Sequence, residues 1–346
     1  MQGKKKYICK MFDSVNIADI VSWFRVKIYD TCIPILAYHR IIEESSKVEL
    51  DQFPYEELNI SSYSSEFEQQ MNYIKKKFTT ISFKDLKTHL NEGIKLPNNA
   101  VIITFDDGYK DNYSTAYRIL RAYNLKATFF VPVGLMGGKG IIEVEKLTYA
   151  IKMSKKTIID MSMMGLGRIK IDSSENKIRA KQLLIHEIRK MEEEIRREIV
   201  ENILYQLSVE IPIDLANMLM LDWEDVKEMK KGGMEFGSHS MSHPILSRIT
   251  KDRLREEVMG SKILLESMIE DEICAFAYPA GGKKEYFGER EKDAVKEAGY
   301  SFGVSYINGL ENVKKMDNYA VKRVRISSYV DLPLFKMGLS FPWMLT

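Results

Sequence analysis

Two adjacent carboxylates follow a continuously apolar run of the chain. Asp106 and Asp107 come directly after residues 100–105 (AVIITF), and Gly108 follows them. Carboxylates at the end of a buried strand can bind a metal ion or act as a general base. The same pattern is also typical of a polar loop that caps the next helix. The pair therefore does not identify a site by itself.

Two histidines that are four residues apart form a second group. His239 and His243 lie in the sequence HSMSH, just after the predicted strand 234–237. Side chains at this spacing on a helical turn share a face and can bind one cation. A chance pair of surface or core histidines is the alternative. Two histidines and one aspartate would leave a coordination position open for water, and the second aspartate could then act as a base.

Strands alternate with helical patterns along most of the chain. The apolar runs that predict strands are residues 33–38, 100–105, 126–131, 234–237, 273–278, 301–305 and 319–326. Between them, helices are predicted to begin at Ser65, Ser82, residue 112, Asp222, Thr250 and Glu289. This alternation predicts an α/β fold with a parallel sheet, open or closed into a barrel. Ligand chemistry then belongs at the carboxyl ends of the strands, where both groups lie.

One segment interrupts this alternation. Residues 141–221 show little strand signal, and residues 176–207 predict one long helix rich in Lys, Arg, Glu, Ile and Leu. We interpret the segment as a helical insertion between two strands. Its charged face is expected to be solvated, with a contact to a partner or a second copy as the alternative.

Composition excludes several classes of protein. The chain has 346 residues, of which 45% are hydrophobic, as in a globular protein. Its 51 basic and 49 acidic residues give a net charge of +2, which argues against general nucleic-acid binding. Three scattered cysteines argue against a disulfide scaffold. No signal peptide or membrane span is recognised, so a cytoplasmic location is predicted. Residues 15–29 could form an amphipathic helix that covers the core or attaches peripherally to a membrane.

Three motifs occur in an order that resembles a known family. TFDDGY (104–109), HSMSH (239–243) and FAYPAGG (276–282) resemble the NodB-homology polysaccharide deacetylases, carbohydrate esterase family 4. The resemblance implies a distorted (β/α)7 TIM-like barrel, here over residues 33–345, and the residue pattern adds the helical insertion and an N-terminal helical extension, residues 1–32. It also implies metal-dependent removal of acetyl groups from sugars. The expected metal is one divalent ion, most often zinc, with cobalt, nickel or manganese as alternatives.

The resemblance also assigns roles to residues. It implies that Asp106 is the general base and that Asp107, His239 and His243 are the metal ligands. Ser240 is expected to support the turn between the histidines. In the family, the residue after the glycine of the first motif donates its backbone N–H to the oxyanion, which implies this role for the residue that ends TFDDGY, Tyr109.

The chain departs from the family pattern in its third motif. The family has an arginine two residues before the proline of this motif, but Ala277 and Tyr278 precede Pro279 here. Arg323, in the last predicted strand, could supply the missing charge near the base, with Arg325 on the same face as the alternative. Tyr278 and Pro279 are expected to contact the substrate or to support the residues that do.

The late histidine that serves as the family's general acid is also missing, because no histidine follows His243. His39, at the end of the first predicted strand, is the expected replacement. A subgroup of the family resembles this arrangement, with an early Tyr-His motif, and a closed barrel would make the first and last strands neighbours. A buried histidine of the core is the alternative. His89 and His186 are predicted to lie on the surface.

We therefore expect a hydrolase that removes acetyl groups, foremost N-acetyl groups, from a carbohydrate or a polysaccharide precursor. An amide hydrolase with a small substrate that is not a sugar is one alternative on the same scaffold. A member that binds glycans without catalysis is another, although four intact site residues argue against it.

Overall fold

The computed structural model describes Cys9 and residues 32–44, 55–282 and 285–345. Apart from Cys9 and Cys32, the predicted N-terminal extension lies outside the described residues, and so does the amphipathic segment 15–29. Both stay predictions. Within the described part of the chain, no helix combines the length and the apolar character needed to cross a membrane.

Seven parallel strands close into a barrel. They are β1 (Ile35–Tyr38), β2 (Ala100–Phe105), β3 (Thr128–Val131), β4 (Glu235–Ser238), β5 (Ala275–Ala277), β6 (Phe302–Asn308) and β7 (Val321–Arg325). The hydrogen-bonded order is β1-β7-β6-β5-β4-β3-β2, and pairing of β2 with β1 closes the ring. Each strand coincides with a predicted apolar run, so the (β/α)7 barrel is confirmed. The first and last strands are neighbours, as expected.

Alternation along the strands produces two apolar layers. Ile35, Ile102 and Phe130 belong to a cluster on one face of the strands, together with Phe83 from the helix before β2. Leu36 and other side chains of opposite parity pack in the larger cluster with the surrounding helices. Thr104 and Asp106 continue the face of Ile102. Asp106 therefore lies where the inner face reaches the barrel mouth.

Helices connect the strands. They are α1 (Ser64–Lys77), α2 (Phe83–Glu92), α3 (Arg118–Ala122), α4 (Glu143–Met153), α5 (Ser174–Ile188), α6 (Glu193–Leu207), α7 (Leu215–Leu219), α8 (Trp223–Lys231), α9 (Lys251–Arg255), α10 (Ser261–Ile269), α11 (Glu289–Glu297) and α12 (Leu332–Gly338). The predicted N-caps Ser82, Asp222 and Thr250 are confirmed, since each side chain accepts a backbone hydrogen bond. The start at Ser65 is wrong by one residue, because this hydroxyl donates to Glu44 instead of capping α1.

The single long helix predicted over 176–207 is wrong. The chain turns after α5, and α6 returns as a separate helix. Leu184 of α5 and Ile203 of α6 are buried in one cluster with Leu147 of α4. A continuous helix would leave these apolar faces exposed, so burial favours the turn although no proline or glycine marks it. The segment also contains a hairpin of Ile158–Asp160 with Arg168–Lys170 that the sequence did not indicate.

Candidate active site

Asp107, His239 and His243 meet at the mouth of the barrel. Their ligand atoms all lie within 4.8 Å of one another. The Nε2 atoms of His239 and His243 are 3.3 and 3.2 Å from Asp107 Oδ1. Two imidazole nitrogens and one carboxylate are donors that zinc and similar divalent transition metals accept. The three side chains therefore fit such an ion.

Burial and close contacts set the protonation of these side chains. His239 Nδ1 lies 2.8 Å from the carbonyl oxygen of Ala277. A carbonyl can only accept, so Nδ1 carries a proton and Nε2 is the nitrogen that faces the site. Burial would lower the pKa of His239, but Asp107 raises it above the usual value, so a cation at the site competes with a proton for Nε2. Burial alone would raise the pKa of Asp107, but its close contacts with His239 and His243 hold it well below the usual value. Burial lowers the pKa of His243, which favours the neutral imidazole that a metal requires.

The loops of the three motifs have a strained backbone. Asp107, Ser240, His243 and Ala280 have φ values of 74°, 66°, 61° and 56°. Residues other than glycine rarely adopt this region, and such residues cluster at functional sites. The Ser240 hydroxyl accepts the backbone N–H of His243 at 3.0 Å, which supports the turn as predicted from the sequence.

Asp106 lies beside this cluster and is paired with Arg323. Both guanidinium Nη atoms donate to the two carboxylate oxygens at 2.7 Å, and Arg323 is fully buried. Burial would raise the pKa of Asp106, but the charge and hydrogen bonds of Arg323 hold it below the usual value. Of the two arginines considered in the sequence, Arg323 therefore occupies the place beside the carboxylate. Arg325 lies elsewhere, with its guanidinium carbon 5.5 Å from the centre of the Tyr306 ring.

His39 follows β1 and lies on the wall of the same cavity as both aspartates. Its backbone N–H donates to Ser61 Oγ at 2.8 Å, and its carbonyl accepts from Asn112 Nδ2 at 2.8 Å. Its ring meets the Tyr306 ring edge to face, with 5.3 Å between the centroids. The main chain is thus fixed on both sides while the imidazole lines the cavity. The structure brings His39 to the predicted site, and its role as an acid stays a prediction.

A cavity of about 550 Å³ joins the barrel mouth to the insertion. Asp106, His239 and Tyr306 line it on the barrel side. Lys181 and Arg189 line it on the side of the insertion. The interpretation of the charged helical face as solvated is therefore wrong for this side of α5. Lys181 is 3% exposed and pairs with Glu56 and Glu57, because a buried ammonium group needs acidic partners.

Comparison with known protein families shows to which family the chain belongs. The sequence model of the family described as polysaccharide deacetylase matches residues 93–303, more than half of the chain. The chain belongs to the polysaccharide deacetylase family. The family resemblance drawn from the three motifs is thereby confirmed, together with the enzyme class, a carbohydrate deacetylase. The subgroup defined by the early Tyr-His motif stays a prediction.

Individual relatives agree with this family. The Bacillus subtilis protein YxkH, assigned by name to the polysaccharide deacetylases, is 24% identical over 296 residues, which cover 85% of this chain and 71% of that protein. A Staphylococcus aureus poly-β-1,6-N-acetyl-D-glucosamine N-deacetylase is 25% identical over 237 residues, or 64% of this chain and 76% of that protein. The Streptococcus pyogenes deacetylase PplD, solved with acetate, is 21% identical with a TM-score of 0.57, over 89% of this chain and 98% of that one. This last likeness shows a shared fold.

Tyr109 anchors the first motif of this polysaccharide deacetylase to the insertion. Its hydroxyl donates to Glu145 Oε1 at 2.7 Å and accepts from Asn59 Nδ2 at 2.7 Å. The preceding Gly108 has a φ of 65°, and a Cβ there would lie 3.2 Å from Pro132 Cδ, so the turn favours glycine. With the side chain engaged, only the backbone of Tyr109 is left for the predicted oxyanion contact, which stays a prediction.

The third motif forms a tight turn at the cavity wall. Tyr278 is buried, its hydroxyl donates to the carbonyl oxygen of Tyr319, and its ring stacks on Phe287. This engagement favours a supporting role over a hydrogen bond to substrate. Pro279 lines the cavity. The carbonyl oxygen of Gly281 accepts the backbone N–H of Tyr306, which ties this turn to β6.

Two residues of the site were missed by sequence reasoning. Glu257 is buried, and its Oε2 accepts the backbone N–H groups of Met241 and Ser242 at 2.9 and 2.8 Å. It thereby fixes the backbone between the two ligand histidines. It lies in a π-helical turn (Glu256–Gly260), a feature frequent at functional sites. Tyr306 is the other, and its ring lies against His39, Arg323 and Arg325. Neither residue belongs to a recognisable motif.

Proposed function

We propose that this family member hydrolyses acetyl groups, foremost N-acetyl groups, of a carbohydrate or a polysaccharide precursor, and that the metal site described above supports the reaction. One observation carries the proposal. The cluster of Asp107, His239 and His243 lies beside the arginine-paired Asp106 in a single cavity that also contains His39. Three ligands, a separate carboxylate and a separate imidazole are the groups that a metal-assisted hydrolysis requires.

Each residue of the site has a separate role in the proposed reaction. A divalent cation held by Asp107, His239 and His243 would polarise the acetyl carbonyl and make water more acidic. Asp106 accepts the proton of the attacking water, and the hydrogen bonds from Arg323 hold its carboxylate in one orientation. The backbone N–H of Tyr109 donates to the oxyanion of the tetrahedral intermediate. His39 donates a proton to the sugar nitrogen or oxygen that leaves.

The preference for N-acetyl sugars rests on a relative. The Staphylococcus aureus protein is named for N-deacetylation of poly-β-1,6-N-acetyl-D-glucosamine. Zinc is the proposed metal, with cobalt, nickel or manganese as alternatives, because a site of two histidines and one aspartate accepts each of them. Action in the cytoplasm, on a precursor, remains the prediction from the sequence.

The proposal is tested by measuring acetate release together with metal content. We expect about one divalent ion per chain, as in other three-ligand catalytic sites. The purified protein should release acetate from N-acetylglucosamine oligomers, lose activity with a chelator and regain it with zinc or cobalt. His243→Ala should bind little metal. Full metal occupancy in a variant that lacks both histidines would contradict the site. Acetate release from small amides but from none of the sugars would favour the amide hydrolase.

A further inference from the structure

The acidic groups that line the cavity all have partners. Glu56 pairs with Lys181 at 3.1 Å, and Glu143 pairs with Arg196 at 3.0 Å. Of the two aspartates of the site, Asp106 is bound by Arg323, and Asp107 belongs to the metal-ligand cluster with the two histidines. No carboxylate of this wall is left to attract a cation beyond the metal site. A cationic substrate group would therefore find no available counter-charge among the residues that the structure describes here.

Two guanidinium groups of the wall have no acidic partner in the described part of the chain. Arg325 ends β7 and is half-buried, with its charge over the Tyr306 ring. Arg189 follows α5 and is exposed on the insertion side of the cavity. Every other Lys or Arg on this wall forms one of the ion pairs described above. These two guanidinium groups are therefore the positive charges of the described wall that no carboxylate pairs with, and they are available to a substrate.

The position of Arg325 indicates which part of a substrate meets this charge. The Tyr306 ring lies between two groups, with its centre 5.3 Å from the His39 ring and 5.5 Å from the Arg325 guanidinium carbon. Arg325 is therefore one aromatic ring away from the predicted acid. A half-buried guanidinium binds a phosphate or carboxylate through two parallel hydrogen bonds, more strongly than an exposed one does.

We propose that the substrate is a glycan that carries an anionic group, a phosphate or a carboxylate, on or next to the acetylated sugar, and that Arg325 binds this group with Arg189 contributing from the insertion. The inference rests on the proposed deacetylation and narrows its substrate class. Arg325, which sequence reasoning considered only as a partner of Asp106, then acts in substrate selection.

Three matched substrates test this proposal. They are a neutral N-acetylglucosamine tetramer, the same tetramer with one 6-phosphate, and a tetrasaccharide that alternates N-acetylglucosamine with glucuronic acid. We expect kcat/KM to be at least about tenfold higher for one or both anionic substrates, mainly through KM, since one charge-assisted hydrogen-bond pair accounts for a factor of this size. The phosphate and carboxylate arms identify which anion is preferred. The preference should weaken as salt concentration rises.

Single substitutions test whether Arg325 and Arg189 cause the preference for anionic substrates. Arg325→Gln should reduce the ratio of anionic to neutral kcat/KM by about tenfold, and Arg189→Gln by less, because it is more exposed. Arg179→Gln removes the same charge from the exposed side of α5, where Arg179 pairs with Glu175, and should leave the ratio unchanged. Equal kcat/KM for all three substrates would overturn the proposal, and so would an equal loss on all of them in Arg325→Gln.

A binding measurement tests the anion site independently of the proposed deacetylation. The three intact oligosaccharides are titrated by calorimetry into the slow variant Asp106→Asn and into the double variant Asp106→Asn/Arg325→Gln. Tighter binding of an anionic form that depends on Arg325 supports the anion site even if no acetate is released. Acetate release without any anionic preference in binding or turnover keeps the deacetylase and rejects the anion site.

Discussion

Arg323 donates one 2.7 Å hydrogen bond to each carboxylate oxygen of Asp106, across 217 positions of the sequence. Arg323 is itself held by the carbonyl oxygen of Ser305 and by Thr104 Oγ1. Both side chains are buried, so water does not compete for the two hydrogen bonds between them. The proposed base is therefore kept ionised and in one orientation before any substrate binds.

Arg323→Met is expected to reduce kcat/KM by about 10²-fold, because a misplaced catalytic group costs a factor of this size. The pH profile should change as well. Arg323 lowers the pKa of Asp106, so activity persists until the pH falls through that low value. Without the arginine, burial raises this pKa, and the acid limb should move to higher pH. Arg323→Lys keeps the charge and should move the limb less. If the acid limb does not move in Arg323→Met, the ionisation that limits activity at low pH is not that of Asp106.

Glu257→Ala is expected to weaken metal binding by about 10–100-fold, as is typical when a residue that orients metal ligands is lost. The reason is that Glu257 fixes the backbone between His239 and His243. The measurement is a competition titration of the metal against a chelator. Glu256→Ala, the exposed neighbour, is the matched control and should retain wild-type affinity. Wild-type affinity in Glu257→Ala would show that the loop holds its conformation without this carboxylate.

His39→Ala should separate substrates by leaving group. An N-acetyl sugar leaves poorly without a proton and is expected to lose about 10²–10⁴ in turnover. An activated acetate ester needs little protonation and should lose much less. Metal content should stay at the wild-type level, because His39 is not among the three clustered ligands. Equal losses on both substrates, or a large drop in melting temperature, would show that His39 is a structural residue of the core and not the general acid.

Lys181→Met tests how the insertion is attached. Lys181 and Glu56 are each 3% exposed, and removing one partner leaves the other charge buried. Such a loss typically destabilises a protein by about 3–5 kcal/mol. The free energy of unfolding is measured by urea denaturation. Lys190→Met breaks the exposed pair with Glu187 on the same part of the insertion and should cost less than about 1 kcal/mol. Similar effects of the two variants would mean that the buried pair does not stabilise the insertion.

The barrel and its capped helices were predictable because their signals are local. Seven apolar runs matched the seven strands, and Ser82 and Asp222 form the expected N-caps. The two loops that hold Asp107, His239 and His243 were predictable too, since parallel strands bring their carboxyl ends together. Motif spacing therefore indicated two loops that meet, and the resemblance to the family implied which of the two aspartates joins the histidines.

Contacts between distant segments were not predictable in the same way. Strand alternation could not choose between Arg323 and Arg325, because both have the same parity, and only the closed barrel places one of them against Asp106. The turn between α5 and α6 has no local marker, because it arises from the burial of two apolar faces. Glu257 and Tyr306 act through tertiary contacts with residues from other loops, so no sequence spacing indicates them.

Acetate release by Asp106→Asn, with metal content measured in the same sample, tests the central claim most directly. The asparagine keeps the shape of the side chain but cannot accept the proton of water. We expect wild-type protein to release acetate from an N-acetylated oligosaccharide. The variant should hold the same amount of metal and lose about 10²–10⁴-fold in turnover, as is typical when a general base is removed. Wild-type turnover in the metal-loaded Asp106→Asn variant would contradict the account.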